Sequence, residues 1–308
     1  MCESQPETVG IIIPTLNGGR HWADCLRSVG AQSVGLRRRL VVDSASTDDT
    51  ITQAEAAGFE VKGISRAEFN HGGTRQWAAE YLADCDILIF LTQDAVLENP
   101  ESLSQIVQCL RDPRVAVAYG RQLPHRGARP MEAHARLFNY GETTLWKDWE
   151  ARNSFGPKVF FCSNSFAAYR RSTLMELGGF KRDLILGEDM EFAARAVKAG
   201  YANVYCATAS SFHSHDYSSL EQFRRYFDVG VFDATNTWMR EEFGSHRGSG
   251  AHFVKSELQY LMREAPLQIP RSIVHTLAKI CGYRLGLCEK RLTVAVKRRL
   301  SMSRSYWR

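Results

Sequence analysis

Asp86-Ile87-Leu88-Ile89-Phe90-Leu91-Thr92-Gln93-Asp94-Ala95 is the stretch on which the reading of this chain turns. Ile87 to Leu91 is an unbroken apolar run, the pattern of a strand covered on both faces. The run leads into a single carboxylate, Asp94. In an open α/β sheet, ligands bind beyond the carboxyl ends of the strands. A hard oxygen there suits a divalent cation that carries a phosphorylated substrate. Taken alone, Asp94 reads more simply as a turn or cap residue opening the next loop. Its flanks reverse that preference.

Upstream, strands and helices alternate. Val9-Gly10-Ile11-Ile12-Ile13 reads as a buried strand ended by Pro14, and His21 to Gly30 as a helix with Trp22, Cys25, Leu26 and Val29 on one face. Leu40-Val41-Val42 is a second strand ending at Asp43. Thr47 to Ala57 is a helix closed by Gly58, Phe59-Glu60-Val61 a third strand, and Thr74 to Ala83 a helix before the Asp86 strand. This alternation predicts an α/β fold with a mostly parallel central sheet and helices on both faces. Downstream the pattern loosens. A helix over 101–111 and a strand over 115–120 precede a long polar and aromatic loop, 121–158, with one helix near 131–139. A strand over 160–169, a helix over 188–199 and a short strand over 204–206 follow. Beyond Leu220 only helices are expected.

The 308 residues suffice for one large domain or two modest ones, and 44% hydrophobic with 24% charged residues is ordinary globular material. Eight cysteines form no C-x-x-C pair, so neither a zinc ribbon nor a disulfide framework is indicated and a reducing cytoplasm is expected. The polar, acidic N-terminus has no signal-peptide pattern, and no run reaches the roughly 20 apolar residues of a membrane span. From Gln268 to Arg308 there are ten Lys/Arg and one Glu, a net of +9, so the other residues carry a net of −4. The basic character belongs to the tail. That argues against nucleic-acid binding and for a tail that meets an anionic surface.

Four constellations carry chemistry. Pro14-Thr15-Leu16-Asn17 and Asp43-Ser44-Ala45-Ser46-Thr47-Asp48-Asp49-Thr50 each follow a strand. Asp43 can accept the imide N–H of a uracil or thymine ring, whereas Ser46 and Asp48 suit helix capping. Phe69-Asn70-His71-Gly72-Gly73-Thr74-Arg75 opens a helix. Its glycines allow close backbone approach, its N-terminus offers N–H groups, and Arg75 can pair with a phosphate; the other reading is a glycine turn with a capping Thr. Gly187-Glu188-Asp189-Met190-Glu191 puts two acids at a helix N-terminus, where the dipole favours an ionised carboxylate. His213 and His215 stand two apart in Phe212-His213-Ser214-His215, with Gln222-Phe223-Arg224-Arg225-Tyr226 beyond.

Pro-Thr-x-Asn, then Val-Val-Asp-Ser-x-Ser-x-Asp-x-Thr, a strand ending near an Asp, and Gly-Glu-Asp, in that order, resemble the motifs of family 2 inverting glycosyltransferases over roughly residues 9–230. The resemblance implies the GT-A fold. It implies a catalytic domain over 1–219, with a nucleotide-binding half to about residue 95 and an acceptor-binding half beyond, then a helical extension over 220–308 ending in the basic tail. It implies that Pro14, Thr15, Asn17, Asp43, Ser44, His71, Gly72, Gly73, Arg75, Gln93 and Asp94 bind a nucleotide-sugar, with Asp43 on the base. Asp94 would hold Mg²⁺ or Mn²⁺, with His213 or His215 as a further ligand or as a hydrogen bonder to the diphosphate. Asp189 would be the general base and Glu188 its neighbour. Arg224 or Arg225 would contact phosphate. On the acceptor side Asn164 would bond hydroxyls, and Trp146 and Trp149 would stack on sugars or simply pack. Many members carry two acids in an Asp-x-Asp element; this chain has Thr92-Gln93-Asp94.

The His71 segment and Thr92-Gln93-Asp94-Ala95 are similar to the subgroup that transfers L-rhamnose from dTDP-β-L-rhamnose. The expected reaction is therefore rhamnosyl transfer to a glycan or lipid-linked glycan acceptor: lipopolysaccharide core, O-antigen or other polysaccharide. The expected setting is the cytoplasm, with the basic tail on the inner-membrane surface. Two alternatives stay open, a family 2 enzyme with a UDP-sugar donor and a non-catalytic sugar-nucleotide or glycan-binding module. No G-x-G-x-x-G follows the first strand, which argues against a Rossmann dehydrogenase.

Overall fold

A computed structural model describes residues 7–244 and 249–307. The first half is the expected alternation: β1 (Val9–Thr15), α1 (Trp22–Gly30), β2 (Arg38–Asp43), α2 (Thr50–Ala56), β3 (Glu60–Gly63), α3 (His71–Tyr81) and β4 (Ile87–Leu91). These four strands pair in parallel in the order β3-β2-β1-β4. Every residue of β4 is buried, because successive side chains enter opposite layers. Leu88 and Phe90 join one core cluster with Ala78 and Leu82, while Ile87, Ile89 and Leu91 join another with Trp22, Cys25 and Leu26.

The second half is mixed rather than parallel. It comprises β5 (Val96–Leu97), α4 (Ser102–Cys109), β6 (Val115–Leu123), α5 (Pro130–Asn139), β7 (Leu145–Lys147), α6 (Arg152–Phe155), β8 (Phe166–Arg170), α7 (Arg171–Glu176), α8 (Glu188–Lys198) and β9 (Ala202–Phe212). β8 inserts antiparallel between β4 and β6, and β6 pairs in parallel with β9. β5 and β7 run antiparallel to β9.

Three differences from the sequence-based expectation position the site. The strand expected over 160–169 is broken. Gly156–Phe160 is a 3₁₀ turn and β8 starts only at Phe166, so Phe161 to Ser165 is free to form a turn. The buried Lys147 ammonium holds that approach, donating to the carbonyls of Lys158 and Phe161 at 3.2 and 3.1 Å and to the Tyr119 hydroxyl at 2.6 Å. β6 runs three residues past Gly120, into the expected loop, and β9 runs to Phe212, past a register irregularity opposite Gly120 and Arg121. These extensions carry Gln122 and deliver His213.

The C-terminal helices are α9 (Ser219–Thr235), α10 (Thr237–Phe243), α11 (Ser249–Glu264), α12 (Ile269–Leu287) and α13 (Val294–Leu300). A reciprocal Ser218–Glu221 capping box starts α9. This extension is not a separate unit. Phe227, Val231, Phe232, Met239, Phe243 and Trp307 share one core cluster with Phe90 and Tyr169 of the sheet. The chain end is also fastened. Asp228 accepts from the Met302 and Ser303 N–H groups at 3.0 and 3.1 Å, and Trp307 is buried.

α12 lies on α9 almost backbone to backbone. A Cβ on Gly286 would come within 2.1 Å of the Phe227 carbonyl oxygen, one on Gly282 within 2.2 Å of the Phe223 oxygen, and one on Gly230 within 2.2 Å of the Tyr283 oxygen. Only glycine permits this approach. Gly286→Val should therefore cost about 1–3 kcal/mol or more through forced separation of the helices. In thermal unfolding it should lower the midpoint by several degrees, whereas Gly141→Ala, where a Cβ meets nothing within 4 Å, should leave it in place.

Candidate active site

The site lies where the strand ends converge. Asp94 follows β4 directly, and His213 and His215 follow β9. His213 Nε2 and His215 Nδ1 each stand 3.5 Å from an Asp94 carboxylate oxygen. One donor atom from each residue lies within 4.8 Å of the others. At 3.5 Å these pairs are too long for good hydrogen bonds. The spacing instead suits ligands about 2.1 Å from one shared ion, and the carboxylate–imidazole set fits a divalent cation. Burial would raise the Asp94 carboxyl, but His213 and His215 outweigh it and hold it below its ordinary value. Burial pushes His213 well below the usual histidine range, so its ring is neutral and has a lone pair to give. His21 and His125 stack beside Asp94 with ring centres 3.8 Å apart, and the buried His125 Nε2 has no partner among the described residues.

The second centre is the acid pair. Gly187, in the left-handed region at φ 78°, turns the chain into α8 and exposes its N-terminus to Glu188 and Asp189. Glu188 pairs with Arg75 at 2.9 Å, both side chains 7% exposed or less, and accepts from the Asn164 amide at 3.1 Å. Burial would raise Glu188; Arg75, His71 and Asn164 outweigh it and hold it below its ordinary value. Asp189 accepts from the backbone N–H of Asn164 and of Met190, both at 2.8 Å. Its carboxyl is pushed up to about 6, by burial first and by the neighbouring Glu188 charge second. It is therefore still ionised at neutral pH, with a proton affinity matched to base catalysis there.

The third region is the β1–β2 exit. Asn17 sits in the left-handed region at φ 47° and accepts from Thr47 N at 2.9 Å; its own N–H donates to Ser46 Oγ at 2.7 Å. Asp43 is 1% exposed, accepts from Ser46 N at 2.8 Å and Thr15 Oγ1 at 3.2 Å, and so knits the two loops together. Beside it the buried Ser44 hydroxyl has no partner among the described residues. Pro14 and Thr15 close β1 against this loop.

Several expected contacts are corrected. Arg75 is not available to a phosphate, because Glu188 and the His71 carbonyl hold it in the interior. Gly72 does allow a close approach, but to the chain itself: a Cβ there would lie 1.8 Å from the Lys181 carbonyl oxygen. The Gly73 N–H is taken by the Asn70 side chain at 2.7 Å, which caps α3. His71, beside Arg75, is pushed down to about 4, chiefly by burial. Gln93 is turned away from a ligand role. Its carbonyl accepts from Leu16 N at 2.8 Å, and its amide donates to the Leu16 and Asn17 carbonyls at 3.2 Å.

Trp146 lies away from the two acid centres. It pairs with Val204 near the start of β9 and packs under Arg114, roughly 20–30 Å of strand from His213. Trp149 packs edge-on against Phe243, with the Arg152 guanidinium over its face. Asn164, by contrast, stands between both acids. Arg224 is tied to the Arg299 carbonyl. Among the described residues Arg136 and Arg225 have no side-chain hydrogen bond or ion pair, and both lie close enough to His215 to add to the lowering that its burial causes. Gln122, Ser163 and Arg136 carry no local signal in the sequence; only the strand extensions and the Phe161–Ser165 turn bring the first two here.

The glycosyl transferase family 2 model matches residues 10–178. This chain belongs to that family. The glycosyltransferase is 46% identical over 298 residues, 96% of its length and 95% of the relative's, to the O-antigen chain rhamnosyltransferase WbaN of Salmonella anatum. It is 43% identical over 300 residues, 97% and 96% of the two lengths, to the O-antigen chain rhamnosyltransferase RfbN of Salmonella typhimurium. Among solved structures, the mannosyltransferase PcManGT of Pyrobaculum calidifontis, in complex with GDP-Man and Mn²⁺, matches with TM-score 0.63 at 18% identity, covering 92% of this chain and 88% of that one. S. aureus TarS 1–349, in complex with UDP-GlcNAc, matches with TM-score 0.52 at 16% identity over 92% and 91%. The glycosyltransferase thus has the GT-A fold of these neighbours.

The Asp189 environment sets a pH signature. The kcat/KM of transfer should rise through about pH 6 as one proton leaves, and Asp189→Asn should lower kcat by about 10²-fold or more and abolish that limb. The folded-state value lies above that of an unfolded carboxyl, so ionisation works against the fold. Wild type should therefore lose stability relative to Asp189→Asn as pH rises from about 4 through 6; denaturant titrations of both proteins at pH 4 and pH 8 measure the difference.

Proposed function

We propose that this glycosyltransferase moves L-rhamnose from dTDP-β-L-rhamnose, with inversion, onto a hydroxyl of an O-antigen or related surface glycan. The observation that carries this reading is 43–46% identity over nearly the whole chain to two proteins named O-antigen chain rhamnosyltransferases. In this reading the Asp43–Ser44 loop takes the thymine, with the unpartnered Ser44 hydroxyl as a contact. Asp189, oriented by the Asn164 and Met190 N–H groups, takes the proton of the acceptor hydroxyl as that oxygen forms its bond to the anomeric carbon. The bond from that carbon to the diphosphate breaks on the opposite face. Asp94, His213 and His215 would hold Mg²⁺ or Mn²⁺, which offsets the charge growing on the departing dTDP. With Arg75 committed to Glu188, Arg136 and Arg225, unpaired among the described residues and close to His215, would meet the diphosphate.

Product analysis with dTDP-β-L-rhamnose, UDP-glucose and a lipid-linked glycan acceptor, with and without Mn²⁺, tests the reaction. An α-linked rhamnosyl product is expected only from the dTDP donor and only with Asp189 intact. Turnover of UDP-glucose but not dTDP-rhamnose would replace the donor assignment. Tight dTDP binding with no transfer at all would favour a binding module.

The acceptor's carrier accounts for the outer surface of the extension. No helix among the described residues is long and apolar enough to cross a membrane. With its glycine face on α9, α12 turns Ile273, Leu277 and Ile280 outward, each between 44% and 56% exposed and spaced along one helix face, with Leu267 at 93% ahead of them. The 268–308 segment that carries this stripe holds ten cations against one acid. An anionic inner-membrane surface fits both features. The docking element is α12 rather than the last residues, which fold back on Asp228. The protein should co-sediment with vesicles containing phosphatidylglycerol and not with pure phosphatidylcholine, and Ile273→Asp/Leu277→Asp should reduce binding about tenfold or more. Equal binding by that variant would remove the surface from the account.

A further inference from the structure

Behind His213 lies a buried polar chain that the reaction as described does not use. The His213 Nδ1 meets the Gln122 carbonyl oxygen at 2.9 Å, and the Gln122 amide donates to Ser163 Oγ at 2.9 Å. Ser163 adjoins Asn164, whose N–H holds Asp189 at 2.8 Å and whose side chain holds Glu188 at 3.1 Å. Gln122, Asn164 and His213 are each 4% exposed or less. The Gln122 amide, with its oxygen towards His213 and its nitrogen towards Ser163, sets the direction of each bond. A carbonyl oxygen only accepts, so Nδ1 must carry the imidazole proton, and a neutral ring then leaves Nε2 bare. Nε2 is the atom that faces Asp94 at 3.5 Å. The opposite tautomer would set lone pair against lone pair at Nδ1.

We infer that Gln122 is a positioning residue: it holds His213 as the Nε2-ligating tautomer and ties the cation site to the turn that orients Asp189. A partner behind a metal-bound histidine fixes ring orientation and raises ligand basicity, and its loss typically weakens metal binding 10–100-fold. Here that partner is a neutral amide whose far end reaches the Ser163–Asn164 turn. Cation and base are thus referenced to the same five-residue segment, Phe161 to Ser165. The inference concerns the cation site and holds for any donor sugar.

Two measurements test it. Mn²⁺ alone is titrated into wild type, Gln122→Leu and Gln122→Glu, with affinity read by electron paramagnetic resonance and folding by thermal melting. The leucine variant should bind 10–100-fold more weakly. The glutamate variant, which keeps an acceptor for Nδ1–H, should stay within about threefold of wild type. Wild-type affinity in the leucine variant, or equal losses in both, would overturn the assignment. Should the leucine variant fail to fold, or wild type bind Mn²⁺ alone too weakly to measure, ¹⁵N–¹H correlation spectra of metal-free wild type decide. A His213 proton on Nδ1 is expected, and one on Nε2 would overturn the inference.

Discussion

A buried ion pair underlies the arrangement of this site. Arg75 and Glu188 meet at 2.9 Å in the interior, at the start of α3 and the start of α8. Such a pair gains little net stability over an apolar pair of the same volume, yet breaking one side costs about 3–5 kcal/mol because a lone charge stays buried. The pair therefore acts as a lock between two helix N-termini. Gly72 completes the joint by letting α3 lie against the Lys181 carbonyl. The lock also sets the chemistry next door. Glu188 keeps its charge because Arg75 faces it, and that retained charge, together with burial, lifts the Asp189 carboxyl to about 6. Two adjacent acids thus acquire different tasks, one structural and anionic, the other free to exchange a proton.

Much of the first half was legible in the sequence. Buried parallel strands are apolar on both faces, and Ile87 to Leu91 or Ile11 to Ile13 have no competing reading at that length. The sites they deliver, Asp43 and Asp94, follow from strand ends. The second half was harder because its decisive features are non-local. Phe160 to Tyr169 is apolar enough to be one strand, yet Lys147, distant in sequence, gathers the Lys158 and Phe161 carbonyls and opens a turn there. β6 reaches Gln122 and β9 reaches Phe212 because they pair with each other, and neither polar end would be assigned to a strand alone.

Residue types at the site were read better than their partners. Arg75 and Gln93 have the chemistry of ligand-binding groups, and each is spent on the protein instead. Gln93, next to Asp94, clips the Leu16–Asn17 backbone that leads out of β1. A carboxylate there would lack the two amide protons those carbonyls accept. Among the described residues Asp94 is grouped with two histidines, a weakly anionic set. A cation held there would retain more of its charge for a ligand, at the cost of weaker attraction for the free ion.

The glycine seam between α9 and α12 has a mechanical consequence. At Gly230, Gly282 and Gly286 no side chain lies between the two backbones to act as a bearing, so the helices can neither slide nor roll without a clash. Asp228, on the same α9, anchors the end of the chain. The outer apolar stripe of α12 is thereby fixed to α9, whose Phe227, Val231 and Phe232 share a core cluster with Phe90 of β4, the strand that leads to Asp94. Where a flexible tether would let the active centre wander over a range of heights, this build gives it a fixed reach. Any surface on which α12 rests becomes a ruler, and the acceptor hydroxyls the enzyme can meet are those at one distance from it.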